Sequence, residues 1–329
     1  MSESEFDIIK TYFTHIGESP DWLDTGIGDD AAILHTHPQE QLLISIDTLN
    51  AGVHFADDTP PENIAYKALA VNISDIAAMG GQPTWFTLAL SLPEVDHGWL
   101  KNFCSGLLEV ATKYNLKLIG GDTTRGPLSI TIQIAGVIPN GKALCRSGAK
   151  PGDDIYVTGT LGDAAAGLIL QQQHLKKYNS QQQILIDSLR RPSPRVDVGR
   201  ALRELATACI DVSDGLASDL GHILEASSTG ENRLGAELNL TLIPLSESLQ
   251  QSGLGLDMQN ELALQGGDDY ELCFTAPPSE QTAIETISQQ ADCRISKIGT
   301  TILEPGLFII DKGQRKAIMK KGFDHFGAA

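Results

Sequence analysis

Apolar and polar positions alternate along this chain in two rhythms, which divide it into short strands and amphipathic helices. The pattern predicts an opening helix over 6–16, a short strand near Ile33, and a strand over 42–47 that ends on an aspartate. Pro61 begins a helix that runs to about Met79 and stops at Gly80-Gly81. Proline suits a first helical turn and glycine suits the residue just past a last one. A strand over 86–92, a helix over 98–114 and a strand over 116–119 follow, the last broken by Gly120-Gly121-Asp122-Thr123. Residues 129–137 alternate cleanly as another strand.

The turn-rich run Arg146-Ser-Gly-Ala-Lys-Pro-Gly-Asp153 separates a domain of residues 1–145 from one of residues 146–329. The second half predicts a strand over 154–158, a glycine turn over 159–162 and a helix through Leu170. A polar stretch over 171–183 reads as a helix end and exposed loop. Two helices then flank a strand over 208–212, and strands near 238–242, 271–274 and 307–310 accompany a helix over 279–291. Strands and helices in mixed order predict an α+β fold, with an α/β sandwich in each half. The stretches beginning Asn72-Ile-Ser-Asp75 and Asp211-Val-Ser-Asp214 echo each other, each setting Ser-Asp beside a helix.

Composition narrows the function. A chain of 329 residues has length for two ordinary domains, and no apolar run approaches the roughly 20 residues that cross a bilayer. Met1 to Phe6 lacks the basic start and apolar stretch of a secretion signal, which places the chain in the cytoplasm. The five scattered cysteines show no zinc-like spacing, and with an odd count they read as free thiols. A formal net charge of −18 argues against nucleic acid and anionic membrane as partners.

Many of the acids fall inside glycine-rich motifs. Asp29 and Asp30 sit in a glycine turn, Asp47 on a strand, Asp75 on a helix, Asp122 after two glycines, and Asp211 and Asp214 around another strand end. Carboxylates packed together repel unless a cation lies between them. Oxygen donors without a histidine cluster suit Mg²⁺, which bridges to substrate phosphates and so implies a nucleotide. The glycine turn Gly159-Thr-Leu-Gly162, between a strand and a helix, offers backbone N–H groups to an anion. The chain lacks both G-x-x-x-x-G-K-[ST] and G-x-G-x-x-G. Basic residues near these turns are few; Arg146 is suited to fork onto phosphate oxygens, and Arg125 lies beside the Asp122 turn.

In order, Gly26-Ile-Gly-Asp-Asp30, Ser45-Ile-Asp-Thr48, Asn72-Ile-Ser-Asp-Ile-Ala-Ala-Met-Gly80 and Gly120-Gly-Asp-Thr-Thr124 resemble the thiamine-monophosphate kinase family. Arg146-Ser-Gly-Ala-Lys-Pro-Gly-Asp153, Asp211-Val-Ser-Asp-Gly215 and Gly267-Asp-Asp-Tyr-Glu-Leu272 extend the likeness to the second half. The resemblance implies two α/β sandwich domains of the aminoimidazole ribonucleotide synthetase type, the first pairing through its sheet in a homodimer. It implies transfer of the ATP γ-phosphoryl group to thiamine monophosphate with several Mg²⁺ ions, the ATP lying between the domains. By matching position, Asp30, Ser45, Ile46, Asp47, Asp75, Asp122, Asp211 and Asp214 stand for metal ligands. Tyr114, Gly121, Asp122, Arg146 and Ser213 stand for ATP contacts, and His54, Asp268 and Phe323 for contacts to the thiamine phosphate. The chain departs from the family pattern in three places: Ile46 for a common Thr, Asp268 for Glu, and Phe323 for Tyr or Trp.

The acceptor is itself an ionised phosphate, so the chemistry needs charge neutralisation and positioning rather than a strong base. Asp47, Asp122 and Arg146 are the expected charge stabilisers, with in-line transfer and no covalent nucleophile. Two readings compete. Related ATP enzymes share single motifs, but selenophosphate synthetase wants a reactive Cys or selenocysteine near the start, and the first cysteine here is Cys104; aminoimidazole ribonucleotide synthetase lacks the C-terminal motifs. A non-catalytic divalent-metal-binding protein would bind metal without regard to nucleotide.

Overall fold

The computed structural model describes residues 8–17, 20–27, 32–35, 37–173, 177–230 and 233–318. Asp29, Asp30 and Phe323 lie outside the described residues. The chain divides into two compact units, Met1–Ile76 with Gly81–Gly141, and Ala77–Gly80 with Lys142–Ala329.

The first unit contains strands β1 (Leu23–Thr25), β2 (Ile33–Leu34) and β3 (Glu40–Asn50), then helix α1 (Pro61–Ala78). Strand β4 (Gln82–Leu92), helix α2 (His97–Lys113) and strands β5 (Lys117–Arg125) and β6 (Ser129–Pro139) complete it. The main sheet runs β3-β6-β4-β5, with β4 and β5 parallel and the other neighbours antiparallel. Its inner face carries Leu49, Phe86, Leu88, Leu90, Ile130, Ile132 and Ile134, all buried. Ile73 and Ile76 of α1, and Leu100, Phe103 and Leu107 of α2, are equally buried. Gly106 of α2 lies so close to α1 that a Cβ there would overlap the Glu62 carbonyl. α1 ends as the sequence predicts: Gly80 has φ +70, its N–H bonds to Ala77 O, and Gly81 N–H bonds to Ile76 O. That pair of bonds is the left-handed glycine stop of helices.

Three expectations are corrected here. The predicted opening helix appears as a five-residue π-helix, Ile9–Phe13. β3 does not end on Asp47, because pairing with β6 continues to Asn50, with Asp47 opposite Ile132. Nor does β5 break at its glycines. Parallel pairing with β4 carries the strand through them, with Gly121 opposite Leu88 and Asp122 opposite Ala89. A Cβ on Gly121 would overlap the Leu88 carbonyl, so glycine here permits a close strand approach instead of ending the strand.

The second unit begins with β7 (Asp154–Thr158), α3 (Asp163–Gln172), α4 (Ser180–Arg190), α5 (Val196–Ala201), β8 (Ala208–Asp211) and α6 (Leu216–Ser227). It continues with β9 (Gly235–Asn239), α7 (Glu247–Gln250), α8 (Leu256–Gln265), β10 (Leu272–Ala276), α9 (Gln281–Gln290), β11 (Ile295–Ile302), β12 (Gly306–Asp311) and β13 (Gln314–Ile318). The sheet runs β13-β12-β9-β11-β7-β10-β8. Its central strands are apolar on both sides because both faces are covered. Ile155, Val157, Ile210 and Cys273 face a core with Leu216, Leu220 and Ile223 of α6. Tyr156, Cys209, Leu272 and Phe274 face a second core with Val198 of α5 and Ile284 and Ile287 of α9. A sheet buried on both faces reads as continuous apolar runs, as these strands do.

Two local expectations change. The strand near 238–242 stops at Asn239, whose side chain accepts from Thr241 N and turns Leu240–Leu242 into a 3₁₀ turn. The polar stretch over 171–183 contains a helix start: Asn179 and Gln182 form a reciprocal capping box that opens α4. Among the described residues, no helix is long and apolar enough to cross a membrane.

Candidate active site

In the first unit, Ser45 and Asp47 project from the inner face of β3, toward α1. Ser45 Oγ donates to Asp75 Oδ2 on α1 at 2.5 Å. Burial, and then the negative charge of Asp75, push the Asp47 carboxyl from its ordinary 3.8 up to about 6. Ile46 alternates to the opposite face, where its side chain is 62% exposed and offers no ligand atom.

His54 follows β3 in a tight turn. Its backbone N–H bonds to Asn50 O at 3.0 Å, and its Nδ1 accepts from Asn50 N at 3.0 Å. Accepting at Nδ1 leaves the proton of a neutral ring on Nε2. Lys67 of α1, itself buried, donates from Nζ to the His54 carbonyl at 3.3 Å and ties the turn to the helix. Tyr114 caps the C-terminus of α2, with Lys113 Nζ 5.1 Å from its ring centroid.

Gly121 and Asp122 are exposed on β5. β3 and β5 form opposite edges of the four-stranded sheet. Three strand spacings separate them, about 14 Å. The structure therefore sets Asp47 beside Asp75 and leaves Asp122 at the far edge. Among the described residues, no group of three or more His, Cys, Asp or Glu side chains is arranged to hold a metal ion.

In the second unit, Asp211 is the last residue of β8 and is buried. The loop after it carries Ser213, Asp214 and Gly215. All three backbone N–H groups donate to one oxygen, Asp219 Oδ2, at 3.0, 3.0 and 3.1 Å. Burial and the charge of Asp214 push the Asp219 carboxyl up to about 7, against those three bonds, which favour its charged form. The echo between Asn72–Gly80 and Asp211–Asp219 dissolves in three dimensions: Asp75 lies inside a helix, and Asp214 lies in a loop before one.

A second loop packs on this one. Asp268 N–H bonds to Ser213 O and Tyr270 N–H bonds to Val212 O, each at 2.8 Å. Asp268 and Tyr270 take φ of 69° and 50°, and Tyr270 O–H donates to Asp268 Oδ1 at 3.2 Å. Positive φ at two non-glycine residues is strain that a fixed loop must absorb. The fixing comes from the neighbouring acids. Asp269 accepts from Gly162 N at 2.8 Å and Ala164 N at 3.4 Å. It thereby fills the α3 N-terminus that the sequence reserves for an outside anion, and burial pushes its carboxyl well up. Glu271 accepts from Thr158 Oγ1 at 2.5 Å and from Arg195 Nε at 2.7 Å, with Nη2 of Arg195 on its other oxygen.

Arg146 is exposed, and its carbonyl accepts from Ser227 Oγ at 3.4 Å. Ser227 Oγ also takes the N–H groups of Gly148 and Ala149, each at 3.1 Å, so the Arg146 turn is anchored on α6. Asp219, Glu271 and Arg195 have no role in the sequence reading. The last two meet across 76 residues of chain, a pairing that spacing alone does not signal.

A family model described as AIR synthase related protein, N-terminal domain, matches residues 28–138, and its C-terminal counterpart matches residues 150–312. Thiamine-monophosphate kinase of Escherichia coli (strain K12) is 47% identical over 328 residues, covering 99% of each chain. The crystal structure of thiamine-monophosphate kinase from Stenotrophomonas maltophilia K279a superposes with a TM-score of 0.83 at 44% identity, over 88% of this chain and 91% of that one. A structure of AaThiL complexed with AMPPCP and TMP superposes with a TM-score of 0.77 at 31% identity, over 89% of each chain.

Proposed function

The chain belongs to the thiamine-monophosphate kinase family, and on that premise we propose that it transfers the γ-phosphoryl group of ATP to thiamine monophosphate. A relative of the same fold holds AMPPCP and TMP together, which supports both substrates. A phosphate oxygen of thiamine monophosphate attacks the γ-phosphorus in line. The bond from that phosphorus to the β–γ bridging oxygen breaks, and the electron pair leaves with ADP. The product is thiamine diphosphate, and no residue is phosphorylated on the way.

One observation carries the chemistry: Asp47 and Asp75 are held close enough for each charge to be felt by the other, with Ser45 fastened between strand and helix. Such a pair is costly without a cation. Its donors are all oxygen, which fits Mg²⁺. We place Mg²⁺ ligation on Asp30, Ser45, Asp47, Asp75, Asp122, Asp211 and Asp214, with Ile46 limited to its backbone carbonyl. Bound Mg²⁺ supplies the neutralising charge that lets two phosphate groups meet.

Tyr114, Gly121, Arg146 and Ser213 are the proposed nucleotide contacts. His54, fixed in its turn by Asn50, and Asp268, held by the Ser213 loop, are the proposed contacts to the thiamine phosphate, together with Phe323. We assign the chain to the cytoplasm. We assign the exposed face of the first sheet to a homodimer contact. Leu42, Ile44 and Ile46 stand 48, 56 and 62% exposed on it. Beside them an apolar hollow of about 360 Å³ is lined by Trp22, Leu34, Trp85 and Val137. Contiguous exposed apolar surface of this kind marks an interaction site.

Titration calorimetry with a non-hydrolysable ATP analogue tests the reading. Binding that needs Mg²⁺, and that weakens at least tenfold in Asp47→Asn, is the expected result. Magnesium or calcium binding with no nucleotide dependence would instead identify a non-catalytic metal-binding protein.

A further inference from the structure

We propose that Asp219 is a positioning residue that shapes the Ser213-Asp214-Gly215 loop for magnesium and nucleotide, an inference that rests on the functional reading of that loop. Three consecutive backbone N–H groups converging on one point make a nest that attracts an anion. In this loop the anion is built in, because Asp219 Oδ2 takes all three at 3.0–3.1 Å.

The local sequence leaves no simpler device. α6 begins at Leu216, and Gly215 precedes it with φ +118 and no side chain to cap the helix. A larger residue is barred there, since a Cβ on Gly215 would sit 2.7 Å from the Gln265 carbonyl oxygen. Asp219 stands in the first turn of α6, its own N–H bonded to Gly215 O at 3.0 Å. From there its side chain folds back past the helix start and takes the amides of the three residues that precede the helix. It is 2% exposed, so it touches neither nucleotide nor substrate directly.

The consequence reaches both proposed sites of the second unit. The loop that Asp219 fixes follows Asp211 and carries Ser213 and Asp214. The Ser213 carbonyl in turn accepts the Asp268 N–H at 2.8 Å. One buried carboxylate thus sets the backbone that presents the proposed metal ligand Asp214, the proposed nucleotide contact Ser213 and the base of the proposed thiamine phosphate loop.

The test compares Asp219→Ala, Asp219→Asn and Asp214→Asn in the full-length protein, by thermal melting, calorimetry with Mg²⁺ and a non-hydrolysable ATP analogue, and steady-state kinetics. Asp219→Ala is expected to melt as a folded protein, bind the analogue at least tenfold more weakly, and raise KM for ATP more than it lowers kcat. Asp219→Asn keeps the shape and one acceptor oxygen, and is expected to fall between Asp219→Ala and the unaltered protein. Sodium formate, a carboxylate small enough for the vacated space, is expected to restore part of the analogue affinity in Asp219→Ala only. Affinity within twofold of the unaltered protein in a folded Asp219→Ala would overturn the proposal. So would lower melting temperature and kcat in both Asp219 variants with KM and analogue affinity unchanged, which marks a purely structural residue. If Asp214→Asn also leaves nucleotide and Mg²⁺ binding intact, the functional reading of the loop fails as well. If only Asp214→Asn weakens them, the positioning role alone is lost.

Discussion

Replacing Asp47 by Asn should make the metal-free protein more stable while removing most of its activity. In the unfolded chain this carboxyl ionises near 3.8, and in the folded chain near 6, because of burial and the charge of Asp75. Between those values the folded chain holds a proton that the unfolded chain has lost. Stability therefore falls as the pH rises from about 4 to about 6, and the loss persists above that range. Two pKa units correspond to at most about 3 kcal/mol, and partial access of water to Asp47 lowers this to roughly 1–2 kcal/mol. Asn has the same shape and carries no charge, so it escapes the penalty. For a unit of this size the gain is a rise of roughly 3–6 °C in melting temperature at pH 8, shrinking to about half at pH 5. Calorimetric melts in chelator at the two pH values measure it. Added Mg²⁺ should then raise the melting temperature of the unaltered protein more than that of the variant. A variant that melts at or below the unaltered protein at pH 8, with no change in the difference at pH 5, would refute the reasoning that an unpaired charge is stored there for a cation.

Phe274 is fully buried and stacks on Tyr156 with ring centroids 5.2 Å apart; Phe274→Ala should cost about 3–5 kcal/mol in denaturant unfolding, and a loss under 1 kcal/mol would show that this core collapses around the gap. Gly159 has φ +57, and a Cβ there would overlap the Glu271 carboxylate. Gly159→Ala should therefore destabilise the protein by about 1–3 kcal/mol, and raise KM for thiamine monophosphate more than KM for ATP, since Glu271 belongs to the Asp268 loop. Equal changes in the two constants would contradict that link. Ile46→Asp places a charge on the exposed sheet face, and should shift sedimentation from dimer to monomer with the fold intact by circular dichroism; a variant dimer of unchanged affinity would move the contact elsewhere.

Features governed by neighbours in sequence were legible. The helix over 61–79 was readable because its proline start and double-glycine stop act locally, and Pro61–Ala78 carries Asp75 as expected. The assignments of Asp47 to a strand and of Asp211 to a strand end were readable from alternation alone. Where a distant partner decides the outcome, the reading failed. β5 runs through Gly120 and Gly121 because β4 lies beside it, and no residue near the glycines announces that. Asp122 is accordingly a strand residue, not a loop residue. The α3 N-terminus looked like a seat for an outside anion, but Asp269, more than 100 residues away, occupies it. Asp219 was in plain view within the Asp211 motif. Its side chain takes three amides of the preceding loop, a convergence that only the folded chain displays.

Phosphorus NMR of the purified protein with ATP, Mg²⁺ and thiamine monophosphate, repeated with free thiamine in place of the monophosphate, tests the central claim most directly. The account predicts the paired signals of thiamine diphosphate together with ADP, only in the first sample and only with Mg²⁺ present. Diphosphate signals from free thiamine, or ADP and inorganic phosphate without thiamine diphosphate, would contradict it.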